Sequence, residues 1–233
     1  MVGNIDSIDT MGLVDGPGIR VVIFMQGCPL RCLFCHNPET WNDEKKKQYT
    51  PNELIEYILK FKSYFEEKGG VTFSGGEPLK QPLFLLECLK LCKENNIHTC
   101  LDTSGVGENY DEILDYTDLV IWDIKAIDNE NYKKMTGKDI DVSLNFLKTC
   151  QKKNKKMWLR QVIVPGINDN EEYILKLKEF IKPLKNIEKV ELLPYHTMAI
   201  NKYEELNIPY RLKGVLDMNK ERCLELQNLL NED

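Results

Sequence analysis

Short β-rich runs alternate with longer amphipathic ones along most of this chain. The pattern predicts strands at Ile19–Met25, Val71–Phe73, Ile97–Leu101, Leu119–Trp122, Met157–Val164 and Glu188–Leu193. Several are near-continuous apolar runs, as strands buried on both faces should be. Helical patterns fall between them at Pro51–Glu67, Pro82–Asn95, Tyr110–Tyr116, Val142–Lys152 and Glu171–Ile181, and Asn219–Asn231 reads as a closing helix. Thr50 before Pro51, with Glu53 at the third helical position, forms a start signal. Asn168, Asp169 and Asn170 offer caps ahead of Ile174, Leu175 and Leu177. Strand followed by helix six times predicts an α/β fold with a parallel sheet and right-handed crossovers. Six units are two short of an eightfold barrel. A partial, open (βα)6 barrel and a doubly wound sheet both fit, as one domain over 1–233.

Composition narrows the class. The 233 residues are 42% hydrophobic and 29% charged, as in an ordinary globule. No uncharged stretch approaches the ~20 residues of a transmembrane helix, so no membrane partner is expected. The first residues, MVGNIDSIDTMGLVDG, have neither a basic cap nor an apolar core, so no secretory signal is expected and the location is cytoplasmic. The net charge of −6 argues against general nucleic-acid binding.

The eight cysteines are unevenly spread. Cys28, Cys32 and Cys35 form C-x3-C-x2-C, a spacing that brings three thiolates to one inorganic centre. A closed zinc site needs a fourth ligand; no second cysteine pair follows, and His36 is too near Cys35 to complete a tetrahedron. Three thiolates suit a [4Fe-4S] cluster with one iron left open, while three reduced core cysteines remain the bland alternative. Cys88, Cys92, Cys100, Cys150 and Cys223 are read as small apolar core residues.

Sites in parallel α/β folds gather at the carboxyl ends of strands. There this chain carries GCPLRCLFCHNP (27–38), SGGEP (74–78), DTSG (102–105), DIK (123–125) and PYH (194–196). Gly75 and Gly76 let backbone approach a ligand closely, so a Cβ there is expected to intrude on ligand space. Glu77 is a candidate partner for a ligand's positive edge. Asp102 and Asp123 could equally cap the helices that follow, and Arg160 is a candidate site cation. DGPG ahead of the first strand reads as a tight turn.

Together these motifs resemble the radical S-adenosylmethionine (SAM) superfamily. DGPGIR (15–20), FMQGCPLRCLFCHNP (24–38), TFSGGEP (72–78), HTCLDTSG (98–105), DLVIWDIK (118–125), WLRQVIVPG (158–166) and ELLPYH (191–196) resemble its glycyl-radical-enzyme activating enzymes in particular. Activases of other glycyl-radical enzymes often carry a cysteine-rich insertion after the first cluster. No cysteine lies between His36 and Ser74, so the likeness is to the short branch acting on pyruvate formate-lyase.

The resemblance implies a partial, open (βα)6 barrel of the radical SAM type. It implies a [4Fe-4S] cluster on Cys28, Cys32 and Cys35, with SAM contacts from Phe34, Cys35, His36, Gly75, Gly76, Glu77, Asp123, Ile124, Lys125 and His196. It further implies a monovalent cation near Asp102, Thr103 and Asp123, and partner-peptide contact at Asp15 and Gly16. Where Ile121 stands the family shows a different side chain, which matters little if a main-chain carbonyl is the ligand. The implied partners are a glycyl-radical enzyme as protein substrate and a flavodoxin- or ferredoxin-like electron donor, with the chain a monomer. Two rival readings share the motifs: an activase of a different glycyl-radical enzyme or a small-molecule radical SAM enzyme, and a non-enzymatic iron–sulfur carrier. A carrier needs a fourth protein ligand and has no use for GGEP, DIK and PYH.

Overall fold

A computed structural model describes residues 1–44 and 46–232; Lys45 and Asp233 lie outside the described residues. Among the described residues eight strands form one sheet in the order β3-β1-β2-β4-β5-β6-β7-β8. The six predicted strands are β2 (Arg20–Met25), β4 (Gly70–Gly75), β5 (His98–Thr103), β6 (Leu119–Asp123), β7 (Lys156–Ile163) and β8 (Ile187–Pro194). All five pairings among them are parallel, and the sheet stays open. The partial (βα)6 reading therefore holds over a doubly wound sheet.

Two strands escape the hydrophobic pattern. β1 (Gly3–Gly12) pairs antiparallel with β2, and β3 (Lys47–Tyr49) pairs antiparallel with β1, extending one edge. In β1 a register shift between Ile5 and Ser7 breaks the period of two, so its apolar residues Ile5 and Ile8 fall three apart.

The helices α1 (Pro51–Leu59), α2 (Pro82–Glu94), α3 (Tyr110–Asp115), α5 (Asp141–Lys152), α6 (Glu171–Ile181) and α8 (Lys220–Asn231) match predicted runs. The capping box of α1 forms as its sequence implies. That helix ends eight residues before the predicted Glu67, because Lys60 and Phe61 bond three residues back and the chain turns toward Gly70. The short helices α4 (Asn129–Thr136) and α7 (Ile200–Glu205) were not predicted. Both bear on the site.

The amino ends of the central strands are locked by Arg20, which is fully buried. Its guanidinium donates to Thr72 Oγ1 at 2.6 Å, the Val71 carbonyl at 2.6 Å, the Pro17 carbonyl at 2.9 Å and the His98 carbonyl at 3.2 Å. One side chain thus ties β2, β4 and β5 together. Each buried group stripped of its partner costs ~1–3 kcal/mol. Arg20→Met is expected to destabilise the protein by about 3 kcal/mol or more, read as a lower urea midpoint; an unchanged midpoint would refute the lock.

Candidate active site

The carboxyl ends of β2 and β4 to β8 open onto a pocket of about 220 Å³. The loop leaving β2 contributes Cys28, Cys32, Phe34, Cys35 and His36; β4 and its exit contribute Ser74, Gly75 and Gly76. From β5 come Asp102, Thr103 and Ser104, from β6 and its exit Asp123 and Lys125, and from β7 Arg160. Parallel pairing sets Asp123 beside Arg160 and Arg160 beside Glu191. Residues two apart on a strand share a face, so their side chains reach the same concave side.

The cysteine loop has little regular structure and is held by its neighbours. The Arg31 amide donates to the Thr136 carbonyl at 2.8 Å and the Leu33 amide to the Met135 carbonyl at 2.9 Å, both at the end of α4. Leu30, Cys32 and Val106 pack as a small apolar cluster against Cys28 and Cys35. Burial pushes the Cys28 thiol up to about 12 and raises Cys32 and Cys35 as well. An uncompensated thiolate is therefore costly here, and a cationic centre is what would draw the three into that form.

Gly75 and Gly76 serve the chain before any ligand. Gly75 has φ +106°, and a Cβ on Gly76 would strike the Gly27 carbonyl. The Gly76 amide donates to the Met25 carbonyl and the Glu77 amide to the Gly27 carbonyl, both at 2.9 Å. The glycine turn is packed against the base of the cysteine loop, which corrects the expectation that a Cβ would meet only ligand.

Glu77 is not part of the pocket lining. Its carboxylate is buried and accepts from Thr103 Oγ1 at 2.5 Å, Ser104 Oγ at 2.6 Å, the Ser104 amide at 3.0 Å and the Leu79 amide at 3.2 Å. It braces the exit of β5, and burial raises its pKa. Ile124 likewise packs in the core, its amide donating to the Arg160 carbonyl at 2.7 Å. Only its main chain could reach a ligand. His196 is outside the lining; its ring stacks on His36 at 3.9 Å between centroids. Burial, with His196 adding to it, lowers His36 to about 4, leaving a neutral imidazole at neutral pH.

Charges are placed with care. Lys125 Nζ lies 2.5 Å from Asp123 Oδ2 and 5.2 Å from the centre of the Phe34 ring. Burial, the largest single influence, lowers its pKa, but the Asp123 carboxylate and the sulfurs of Cys32 and Cys35 together make the net shift upward. Asp123 Oδ1 is buried without a partner. Asp102 accepts from Ser74 Oγ at 2.6 Å, and burial raises it to about 6. The Thr103 hydroxyl is already committed, donating to Glu77 and accepting from the Gly105 amide.

Asp15 and Gly16 lie outside the pocket lining, in a segment laid across the concave face. Thr72 Oγ1 on β4 donates to the Asp15 carbonyl at 2.6 Å, and the Arg160 guanidinium on β7 donates to the Val14 carbonyl. The remaining five cysteines are all buried, as their core reading requires. Val162 and Leu193, within quoted segments but not singled out there, also line the pocket, as do Thr40 and Trp41, which no local motif marks.

A profile of the radical SAM superfamily matches residues 22–177. The chain belongs to the radical SAM superfamily. Over its whole length it is 54% identical to the pyruvate formate-lyase-activating enzyme of Clostridium pasteurianum, covering 98% of that protein. It is also similar to the crystal structure of a domain of pyruvate-formate lyase-activating enzyme from Bacteroides vulgatus, at 27% identity and TM-score 0.57. That match covers 70% of this chain and 92% of the other. A radical SAM methyltransferase from Sphaerobacter thermophilus shares the fold at 14% identity and TM-score 0.66, covering 91% of this chain and 63% of the other.

Membership implies a [4Fe-4S] cluster and SAM, and the donor set suits them. Among the described residues no three His, Cys, Asp or Glu side chains are arranged around a single metal ion. A cubane takes each thiolate on a separate iron, so three cysteines on one loop suit it without converging on a single ion. The orphaned Asp123 Oδ1 supplies an acceptor for a cationic or amine-bearing ligand. Because Gly76 abuts the cysteine loop, Gly76→Val is expected to lower iron content on reconstitution as well as SAM binding. Full iron with SAM binding alone lost would return the glycine to a purely ligand-facing role.

Proposed function

We propose that the chain activates pyruvate formate-lyase by drawing a hydrogen atom from a glycine of that partner. The observation that carries the reading is the full-length 54% identity to a pyruvate formate-lyase-activating enzyme. In this reading Cys28, Cys32 and Cys35 hold the [4Fe-4S] cluster. A cluster held there would supply the single electron needed to cleave the C5′–S bond of SAM reductively to methionine and the adenosyl group that takes up the glycine α-hydrogen.

The chain's own residues orient and exclude. Main chain at Gly75 and Gly76 meets the methionine end of SAM, with Asp123 and Lys125 giving paired charges beside it. Phe34 and His36 supply apolar and hydrogen-bonding edges, His196 supports His36 by stacking, and Ile124 contributes main chain alone. Glu77 acts from behind by fixing the Thr103–Ser104 turn.

Asp102, Asp123 and the main chain of Thr103 would hold a monovalent cation, where two acidic side chains share a half-buried corner. SAM titrations in sodium, potassium and a bulky organic cation read this; equal affinity in all three removes the cation. The open edge of the sheet leaves a lateral mouth for a peptide loop, and Asp15 and Gly16 stand across it beside Arg160. A flavodoxin- or ferredoxin-like donor, a monomeric state and a cytoplasmic location complete the reading. Among the described residues no helix is long and apolar enough to cross a membrane.

An adenosyl radical is unselective, so selectivity comes from which hydrogen is held within reach. Reduced, reconstituted protein with SAM is expected to raise a glycyl-radical doublet on pyruvate formate-lyase by electron paramagnetic resonance. About one deoxyadenosine should form per radical. Deuterium placed on the α-carbon of the target glycine should appear in deoxyadenosine. Cleavage of SAM with the label left on the partner would move the activity to another substrate.

A further inference from the structure

The turn that follows Cys35 is gripped by a segment the hydrogen transfer does not call for. Lys202, in α7, donates from Nζ to the His36 carbonyl at 3.0 Å, to Asn37 Oδ1 at 3.3 Å and to Glu39 Oε1 at 2.5 Å. The adjacent Tyr203 is buried and donates its hydroxyl to the Cys35 carbonyl at 3.0 Å. Within the turn the Asn37 amide donates to Cys35 Sγ at 3.4 Å. Trp41 lines the same pocket as Cys35 and meets the Tyr203 ring edge-on at 5.7 Å.

Glu39 is the other half of this arrangement. One oxygen pairs with Lys202, while Oε2 is buried with no hydrogen-bond partner. A cation and a carboxylate therefore stand together one turn from the sulfur of Cys35. Remove either, and the other is left without its counter-charge beside the cysteine turn.

We infer that Lys202 and Glu39 are opposed charges that set the reduction potential of a cluster held through Cys35, with Lys202 also keeping the Asn37 amide on that sulfur. The inference rests on the cluster reading above. Reduction adds one negative charge to the centre. A nearby cation and N–H groups on the sulfur favour the reduced form and raise the potential, whereas a carboxylate disfavours it. Lys202 is a positioning residue: it touches the cysteine turn, not the reacting atoms. Tyr203 fixes the same turn from the Cys35 carbonyl without adding charge.

The test uses the full-length chain reconstituted anaerobically as wild type, Lys202→Met, Lys202→Arg and Glu39→Gln. Iron and sulfide are counted, and the reduced cluster is followed by electron paramagnetic resonance through a reductive titration, with no partner protein or turnover required. Lys202→Met should lower the reduced-to-oxidised ratio at fixed potential by about tenfold, which is 59 mV for one electron. Glu39→Gln should shift the ratio the opposite way, and Lys202→Arg should restore most of it. Intact clusters whose potentials stay put, or move the same way in Lys202→Met and Glu39→Gln, overturn the inference. Should Lys202→Met lose its iron, the nearly isosteric Glu39→Gln decides alone, and any result but a rise counts against the proposal. Retention of a full cluster by Cys35→Ala would instead refute the cluster reading, so the two failures are distinct.

Discussion

A loop that buries three thiols cannot hold itself in place. Residues 26–41 form no strand and only a single short 3-10 turn at Pro38–Thr40, so their main-chain groups must be satisfied from elsewhere. The end of α4 accepts two of the amides, Lys202 and Tyr203 take the carbonyls of His36 and Cys35, and Arg211 takes that of Arg31. The glycine turn after β4 closes the loop from below. Segments from distant parts of the chain converge on a stretch that local propensity alone would leave unordered. Site and fold are thus one packing problem.

The electrostatics follow from the same burial. Thiols withdrawn from water resist ionisation, and paired acids in a corner resist sharing it. Asp123 is matched by Lys125, Asp102 is held by Ser74 and softened by Arg160, and Glu77 is fully occupied by hydroxyls and amides. What is left unmatched, Asp123 Oδ1 above all, belongs to a residue that lines the pocket.

Much of this was legible before any coordinates. Buried parallel strands announce themselves as apolar runs, and the chemistry sits where each run ends. β1 was hidden because a bulge destroys its alternation, and α4 because its run Asn129–Thr136 is mostly polar, with only Tyr132, Met135 and Thr136 buried. The setting of Glu77 was hidden for a physical reason: a carboxylate beside two glycines looks ligand-facing in one dimension, yet here it caps the turn Pro78–Lys80 and bonds Thr103 and Ser104. Lys202 and Tyr203 were invisible because they act across some 160 residues of chain on main-chain atoms, and a carbonyl leaves no mark in a sequence.

The segment laid across the concave face is pinned through the carbonyls of Val14 and Asp15, while the side chains of Leu13 and Val14 stand 70% and 72% exposed. Anchorage and display are therefore carried by different atoms. Exchanging the two apolar side chains alters what an incoming protein meets at the threshold and leaves both anchoring bonds intact. Under the function proposed above, partner recognition there is free to drift while the floor beneath the chemistry stays level.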